Sequence, residues 1–136
     1  MTFTVYALMQ DNAPPMSNDT LAEDLKRHFR DEEGFSLTFE QLPFASDKSL
    51  ALRWDDWLVR ISYEEGEEVI NDSIEIQRRT GADSGHDVSR IRRRIRAVFG
   101  SDETQEYTNQ MIYVLDYLKE LEGVIVFDPQ QNDFVQ

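Results

Sequence analysis

Three runs of alternating apolar residues crowd into residues 35–63, and they fix most of what this chain can fold into. Phe35, Leu37 and Phe39 alternate with Ser36, Thr38 and Glu40. Leu50, Leu52 and Trp54 follow, and then Trp57, Val59, Ile61 and Tyr63. A period of two is that of a strand with one face buried. Asp55-Asp56, between the last two runs, suits a tight hairpin turn, and Pro43 closes the first run. The segment predicts three consecutive antiparallel strands with one apolar face.

The flanks supply the remaining elements. Residues 3–9 read as a strand, broken by the turn-rich stretch 10–18. A helix begins near Asp19 or Thr20, where Thr20 and Glu23 have capping-box spacing and Leu21, Leu25 and Phe29 recur on one face. Asp31-Glu32-Glu33-Gly34 ends it. From about Glu65 a second helix carries Val69, Ile70, Ser73, Ile74 and Gln77 on one side, with Thr80-Gly81 as its stop. Asp87 suits an N-cap, and Val88, Ile91, Ile95 and Val98 are spaced three, four and three apart, which predicts a helix ending at Gly100. A last helix over 102–122 turns Tyr107, Met111, Val114, Leu115, Leu118 and Leu121 inward. Gly123 stops it, and Val124-Ile125-Val126-Phe127 forms a closing strand before Asp128-Pro129. The order β-α-β-β-β-α-α-α-β predicts one α+β domain over 1–136, a mostly antiparallel sheet with helices packed on one face.

Charge narrows function more than any motif does. The chain has 27 acidic and 14 basic residues, a net of −13, and the imbalance comes in blocks. Residues 1–77 carry −11, residues 78–96 carry +5 through seven arginines, and residues 97–136 carry −7. Such a field repels nucleic acid and anionic lipid and attracts a basic protein. With 40% apolar and 11% aromatic residues the chain has the material for a core, unlike an acidic disordered tail. The absence of cysteine excludes disulfides and thiolate chemistry and removes the common zinc-finger sites. The short apolar N-terminus lacks a basic leader, and no run approaches the ~20 residues of a membrane span. A cytoplasmic protein without a membrane anchor is the expectation.

Chemistry-bearing patterns are few. His28 and His86 stand apart; Asp83-Ser84-Gly85-His86-Asp87 holds triad residue types but not the strand–nucleophile–helix elbow of hydrolases, and reads as a polar loop with a helix cap. Glu64, Glu65, Glu67 and Glu68 lack the alternating ligands of a calcium loop and read as an acidic helix start. No glycine-rich phosphate loop exists, so neither cofactor nor metal is expected. Arg90, Arg92, Arg93, Arg94 and Arg96 could meet phosphate, but acidic flanks would compete, and internal pairing or a protein interface fits better. Trp54-Asp55-Asp56-Trp57 has two readings: an aromatic anchor with acidic neighbours for a basic partner, or an indole pair inside the core. Trp54, Asp55, Asp56, Glu64, Glu65, Glu67 and Glu68 are the candidate partner contacts.

Phe39-Glu40-Gln41-Leu42-Pro43-Phe44, the strand–hairpin–strand over 50–61, and Leu118-Lys119-Glu120-Leu121-Glu122-Gly123-Val124-Ile125-Val126-Phe127-Asp128-Pro129-Gln130 together resemble small bacterial immunity proteins. These are cognate inhibitors of toxins delivered by contact-dependent or type VI secretion systems. The resemblance covers about half the chain and rests on turn and packing signals. It implies a cytoplasmic protein without enzymatic activity that occludes a toxin's active site, and no site residue transfers with it. Two other classes stay open: an acidic secretion-effector chaperone of the type III kind, dimeric and helix-first where this chain is strand-first, and a small enzyme using His28 or His86 with nearby carboxylates. The sequence leaves room for a homodimer.

Overall fold

The computed structural model describes residues 2–41, 49–81 and 85–135. Pro43, Phe44, Asp83 and Ser84 lie outside them. The elements run β1 (Phe3–Met9), α1 (Asn18–Phe29), β2 (Phe35–Glu40), β3 (Ser49–Trp54), β4 (Trp57–Glu65), α2 (Glu67–Thr80), β5 (Arg93–Phe99), α3 (Thr108–Glu120), β6 (Val124–Asp128) and β7 (Asp133–Phe134). All seven strands pair antiparallel in one sheet, ordered β2-β3-β4-β5-β1-β6-β7. The α+β class and the antiparallel sheet are as the sequence predicts. The β2–β3–β4 meander falls where the alternation puts it, with Trp54 opposite Trp57 across the Asp55-Asp56 turn.

One element changes type. The helix expected over 88–98 is instead strand β5, inserted between β4 and β1. Ile95, Ala97 and Phe99 are fully buried on one face. Arg94, Arg96 and Val98 alternate onto the other, so the true period is two. Four β-branched residues at helical spacing mask it, because Ala97 and Phe99 do not belong to that stripe. Val88 and Ile91 precede the strand in a turn closed by the Ile91 N–H to the Val88 carbonyl at 3.1 Å. Asp87 is no helix cap: its carboxylate accepts the backbone N–H and the hydroxyl of Ser89.

The helices also divide between the faces rather than sharing one. Val5, Ala7, Leu50, Leu52, Trp54, Val59, Ile61, Ile95, Ala97 and Phe99 form the floor beneath α1 and α3, which contribute Leu21, Leu25, Phe29, Val114, Tyr117 and Leu118. Leu8 and Phe127 point the other way and join Val69 and Ile76 of α2 with Val88, Ile91 and Phe134 in a second cluster. Odd and even residues of β1 are therefore both buried, whereas simple alternation expects one face to be polar.

Local chemistry sets the ends. Ser17, not Asp19 or Thr20, caps α1: its hydroxyl accepts the Thr20 N–H at 3.2 Å while Thr20 Oγ1 accepts the Ser17 N–H at 2.9 Å. Asn18 Oδ1 then accepts the Tyr63 N–H at 2.8 Å, fastening the helix start to β4. Helix α3 starts later than residue 102, because the Asp102 carboxylate holds the N–H groups of Glu106 and Tyr107 in a preceding turn. Gly123 has φ of +75°, and a Cβ there would lie 2.6 Å from the Ala13 backbone nitrogen, so only glycine fits. The two-residue β7 follows Asn132 at φ of +53°, too short for any pattern to announce.

Arg94 is the polar centre of the second layer and only 3% exposed. Its Nε donates to Glu64 Oε1 and its NH1 to Asp72 Oδ2, both at 2.8 Å, and the guanidinium lies 4.4 Å from the Tyr6 ring centre. One side chain thus ties β5 to β4, α2 and β1. Glu64 and Asp72 are 31% and 45% exposed and rehydrate readily, whereas Arg94 does not. Removing both carboxylates should therefore cost more than removing the arginine. We expect Glu64→Gln with Asp72→Asn to lose about 3 kcal/mol and Arg94→Met about 2 kcal/mol in urea unfolding; the reverse ranking would mean that the carboxylates carry the penalty.

Candidate functional site

The hairpin resolves into core and surface. Trp54 and Trp57 are 2% and 3% exposed, with ring centres 6.1 Å apart. Trp54 packs on Phe29 and Phe35, while Trp57 stacks on Tyr107 at 5.5 Å and donates from Nε1 to the Gly100 carbonyl at 2.9 Å. Trp54 therefore offers no side-chain anchor to a partner; the indole-pair reading of the motif is the one the fold adopts. Asp55 and Asp56 are exposed, Asp55 at φ of +52°, a conformation that a short polar side chain tolerates.

The second acidic run is neither continuous with the first nor uniformly free. Glu64 is committed to Arg94. Glu65 accepts the Tyr63 hydroxyl at 2.8 Å. Glu67 and Glu68 are exposed in the first turn of α2, beside the positive end of the helix dipole. Asp56 and Glu65 stand at opposite ends of β4, and at strand rise they are about 30 Å apart. The predicted contact residues do not form one patch.

The structure gathers a different set on the face of α1 and α3. There a groove of about 310 Å³ is lined by His28, Phe29, Glu32, Tyr113, Asp116, Tyr117 and Glu120. Its floor is aromatic: His28 meets Tyr117 at 4.9 Å and 61° and Phe29 at 4.7 Å, edge-on. Tyr113 is 43% exposed, and its neighbour Ile112 47%. The rim holds three carboxylates: Asp116 is paired with Lys119 at 3.9 Å, while among the described residues Glu32 and Glu120 have no ion-pair partner. An aromatic floor under carboxylates takes a cation: rings attract it through their faces while acids form charge-assisted hydrogen bonds. Glu32 lies two residues before Gly34, which sits beside the Asp55 carboxylate, so the hairpin acids border the same end of the molecule.

The spacing of this groove is present in the sequence, yet nothing there assembles it. Tyr113, Asp116, Tyr117 and Glu120 lie within two helical turns on one face, and His28 and Glu32 are four apart. What cannot be read is that α1 and α3, far apart in the chain, lie side by side. The two histidines do not meet: His28 belongs to this face, while His86 packs on Phe134 at 4.7 Å in the cluster of the opposite face. Among the described residues no group of three or more His, Asp or Glu is placed to hold a metal ion.

The arginine block is split in the same way. Arg94 is internal, and Arg93 donates to the carbonyls of Gln10, Ala13 and Pro14. Arg90, Arg92 and Arg96 remain exposed. Arg53 and Arg60 share Glu40, at 2.8 and 3.1 Å.

Two phenols report on these acid contacts. Burial, followed by the hydrogen bond to Glu65, pushes Tyr63 from 10.0 up to about 12. Burial and the hydrogen bond to Asp24 raise Tyr117 further. A folded-state value above the unfolded one stabilises fully below the unfolded value and is lost as pH rises through the folded one. Stability should therefore hold up to about pH 10 and fall between pH 10 and 12. We expect a phenolate absorbance step near pH 12 that Tyr63→Phe removes; a Tyr63 step at pH 10 would show that the Glu65 contact does not hold the proton.

No family model matches the chain, and no characterised protein or solved structure is significantly similar to it.

Proposed function

We propose that this chain is a non-enzymatic protein-binding module, an immunity-type inhibitor that neutralises a bacterial toxin by occluding its basic active site. The observation that carries this reading is the α1–α3 groove: three carboxylates over an aromatic floor, of which Asp116 is shared with Lys119 and Glu32 and Glu120 have no ion-pair partner among the described residues. A toxin acting on nucleotides or nucleic acid presents lysines and arginines where substrate phosphates bind. A groove of this composition receives such a side chain in place of phosphate. Asp55, Asp56 and Glu33, exposed at the same end, extend the negative field around it. Net charge of −13 speeds encounter with a basic domain, while the burial of one cationic side chain against Tyr113 and Tyr117 governs release.

The charge that favours such a partner disfavours nucleic acid. No described helix is long and apolar enough to cross a membrane. A cytoplasmic location follows from the proposal, because an inhibitor must be where the toxin acts.

Affinity capture from the native host, read by mass spectrometry, tests the proposal. Wild-type protein should retain one basic domain in stoichiometric amount and block its activity. Asp116→Lys with Glu120→Lys should lower affinity at least tenfold with unchanged circular dichroism. Asp55→Asn with Asp56→Asn should slow association a few-fold and leave dissociation nearly unchanged. Retention of an unfolded effector segment would support the chaperone class instead, and retention of no basic protein would sink the proposal.

A further inference from the structure

The sheet ends unequally. At one edge β7 is two residues long, which blunts it; at the other, β2 offers six residues, Phe35 to Glu40, whose outward backbone groups have no strand beside them among the described residues. Protein edges are commonly protected by proline, lysine, a bulge or an inward charge. Phe-Ser-Leu-Thr-Phe-Glu has none of these inside the strand. Phe39 is 42% exposed, although Phe35 and Leu37 of the same alternating row pack against the core beneath α1.

The geometry points to β2 as a homodimer interface, in which two copies pair their β2 strands antiparallel about a two-fold axis at Leu37 to form one continuous sheet. The sequence of the strand is complementary to itself in that register. Leu37 faces Leu37 of the second copy, and each Phe39 faces Phe35 of the other, so these apolar rows join two cores and cover the exposed ring. On the opposite side Ser36 faces Thr38, a hydroxyl pair suited to cross-strand contact. Glu40 faces Gly34, so no acid directly opposes an acid.

Charge favours this edge over the rest of the surface. Glu40, the single acid of the strand, is already held by Arg53 and Arg60 of the neighbouring strands. Two copies of a chain with net charge −13 repel one another over most of their surface, and this edge is where the carboxylate arrives neutralised. One strand pairing with its apolar row buries an area at the low end of specific interfaces, so association should be reversible and concentration-dependent. The inference is independent of the α1–α3 groove, which lies on helices rather than on this edge.

Sedimentation velocity across a concentration series should show a monomer–dimer equilibrium that Phe39→Lys shifts at least tenfold toward monomer, with unchanged thermal stability. The chain has no cysteine, so one introduced thiol reports the register alone. The Leu37→Cys variant should form an intermolecular disulfide under mild oxidation, since directly paired residues have Cα atoms about 4.5–5.5 Å apart. The Phe39→Cys variant should not, because the two copies of position 39 lie four residues apart along the paired strands. A monomer at every concentration, or more crosslinking in the Phe39→Cys variant than in the Leu37→Cys variant, overturns the proposal.

Discussion

The structure turns on the burial of one guanidinium. Arg94 stands in the middle of the sheet on the face that α2 covers, and every neighbour is arranged to suit it. Glu64 at the end of β4 and Asp72 on α2 each take one of its N–H directions, and the Tyr6 ring takes its flat side. A buried charge of this kind adds little net stability over an apolar side chain of the same volume. It does specify register: slipping β5 by one residue would send Arg94 beneath α1 and α3, into a layer of Leu52, Ile61 and Leu25. The same slip would turn Ile95 and Phe99 away from that layer. The insertion of β5 between β4 and β1, and the side on which α2 docks, follow from this one placement.

Consumption of cations inside the fold explains the exterior. Arg94 and Arg93 satisfy carboxylates and loop carbonyls, Arg53 and Arg60 converge on Glu40, and Arg78 with Arg79 grip Glu75. The Arg78 guanidinium holds the Glu75 carboxyl down at about 2. Arg94 with its two carboxylates carries −1, and the Glu40 and Glu75 clusters, each with two arginines, carry +1 apiece. Among the described residues the negative charge therefore resides on acids without a guanidinium, Glu32, Glu33, Asp55, Asp56, Glu67, Glu68 and Glu120 among them. A block-by-block charge count gives a cationic island at 78–96, but the fold dissolves it. Arg94 is buried and Arg93 bonded to loop carbonyls, Arg78 and Arg79 lie on the surface of α2 beside Glu75, and Arg90, Arg92 and Arg96 are exposed on β5 and its approach.

How much is legible in the sequence follows from the same physics. Strands with one solvated face are readable, because Leu50, Leu52, Trp54 and then Trp57, Val59, Ile61 keep a strict period of two. Helix α2 is readable in extent from Val69 and its glycine stop, but its inward face only in part: Ile74, expected inward, is 50% exposed, and Ile76 is buried with Val69 and Ser73. Strand β5 is not: buried on both faces near its start, it places Arg94 where a solvated residue would stand, and nothing in the chain order says that Glu64 and Asp72 are near. The same double burial hides the second layer, since Leu8 and Phe127 break the alternation of β1 and β6. The Trp-Asp-Asp-Trp turn is legible as a turn, with the indoles open to either of two environments. The fold chooses the core because Phe29, Phe35 and Tyr107 converge on them from three separate elements.

The groove follows from where α1 and α3 must end. Helix α1 is fixed at its start by Asn18 on β4 and at its finish by Phe29 against Trp54, and α3 is fixed at Tyr107 against Trp57. Both helices are thus positioned by the same hairpin, one through each indole. Between them Tyr117 is drawn inward by Asp24, and the residues one turn away, Tyr113 and Glu120, are left at the lip. The acids of the hairpin and those of the groove are therefore not independent patches. Trp54 and Trp57 set the helices that carry Asp116 and Glu120 and the turn that carries Glu32, while the link between the indoles carries Asp55 and Asp56. A motif that looks like a contact site because its aromatic residues flank two acids serves the site differently: the rings build the platform, and only the carboxylates face outward.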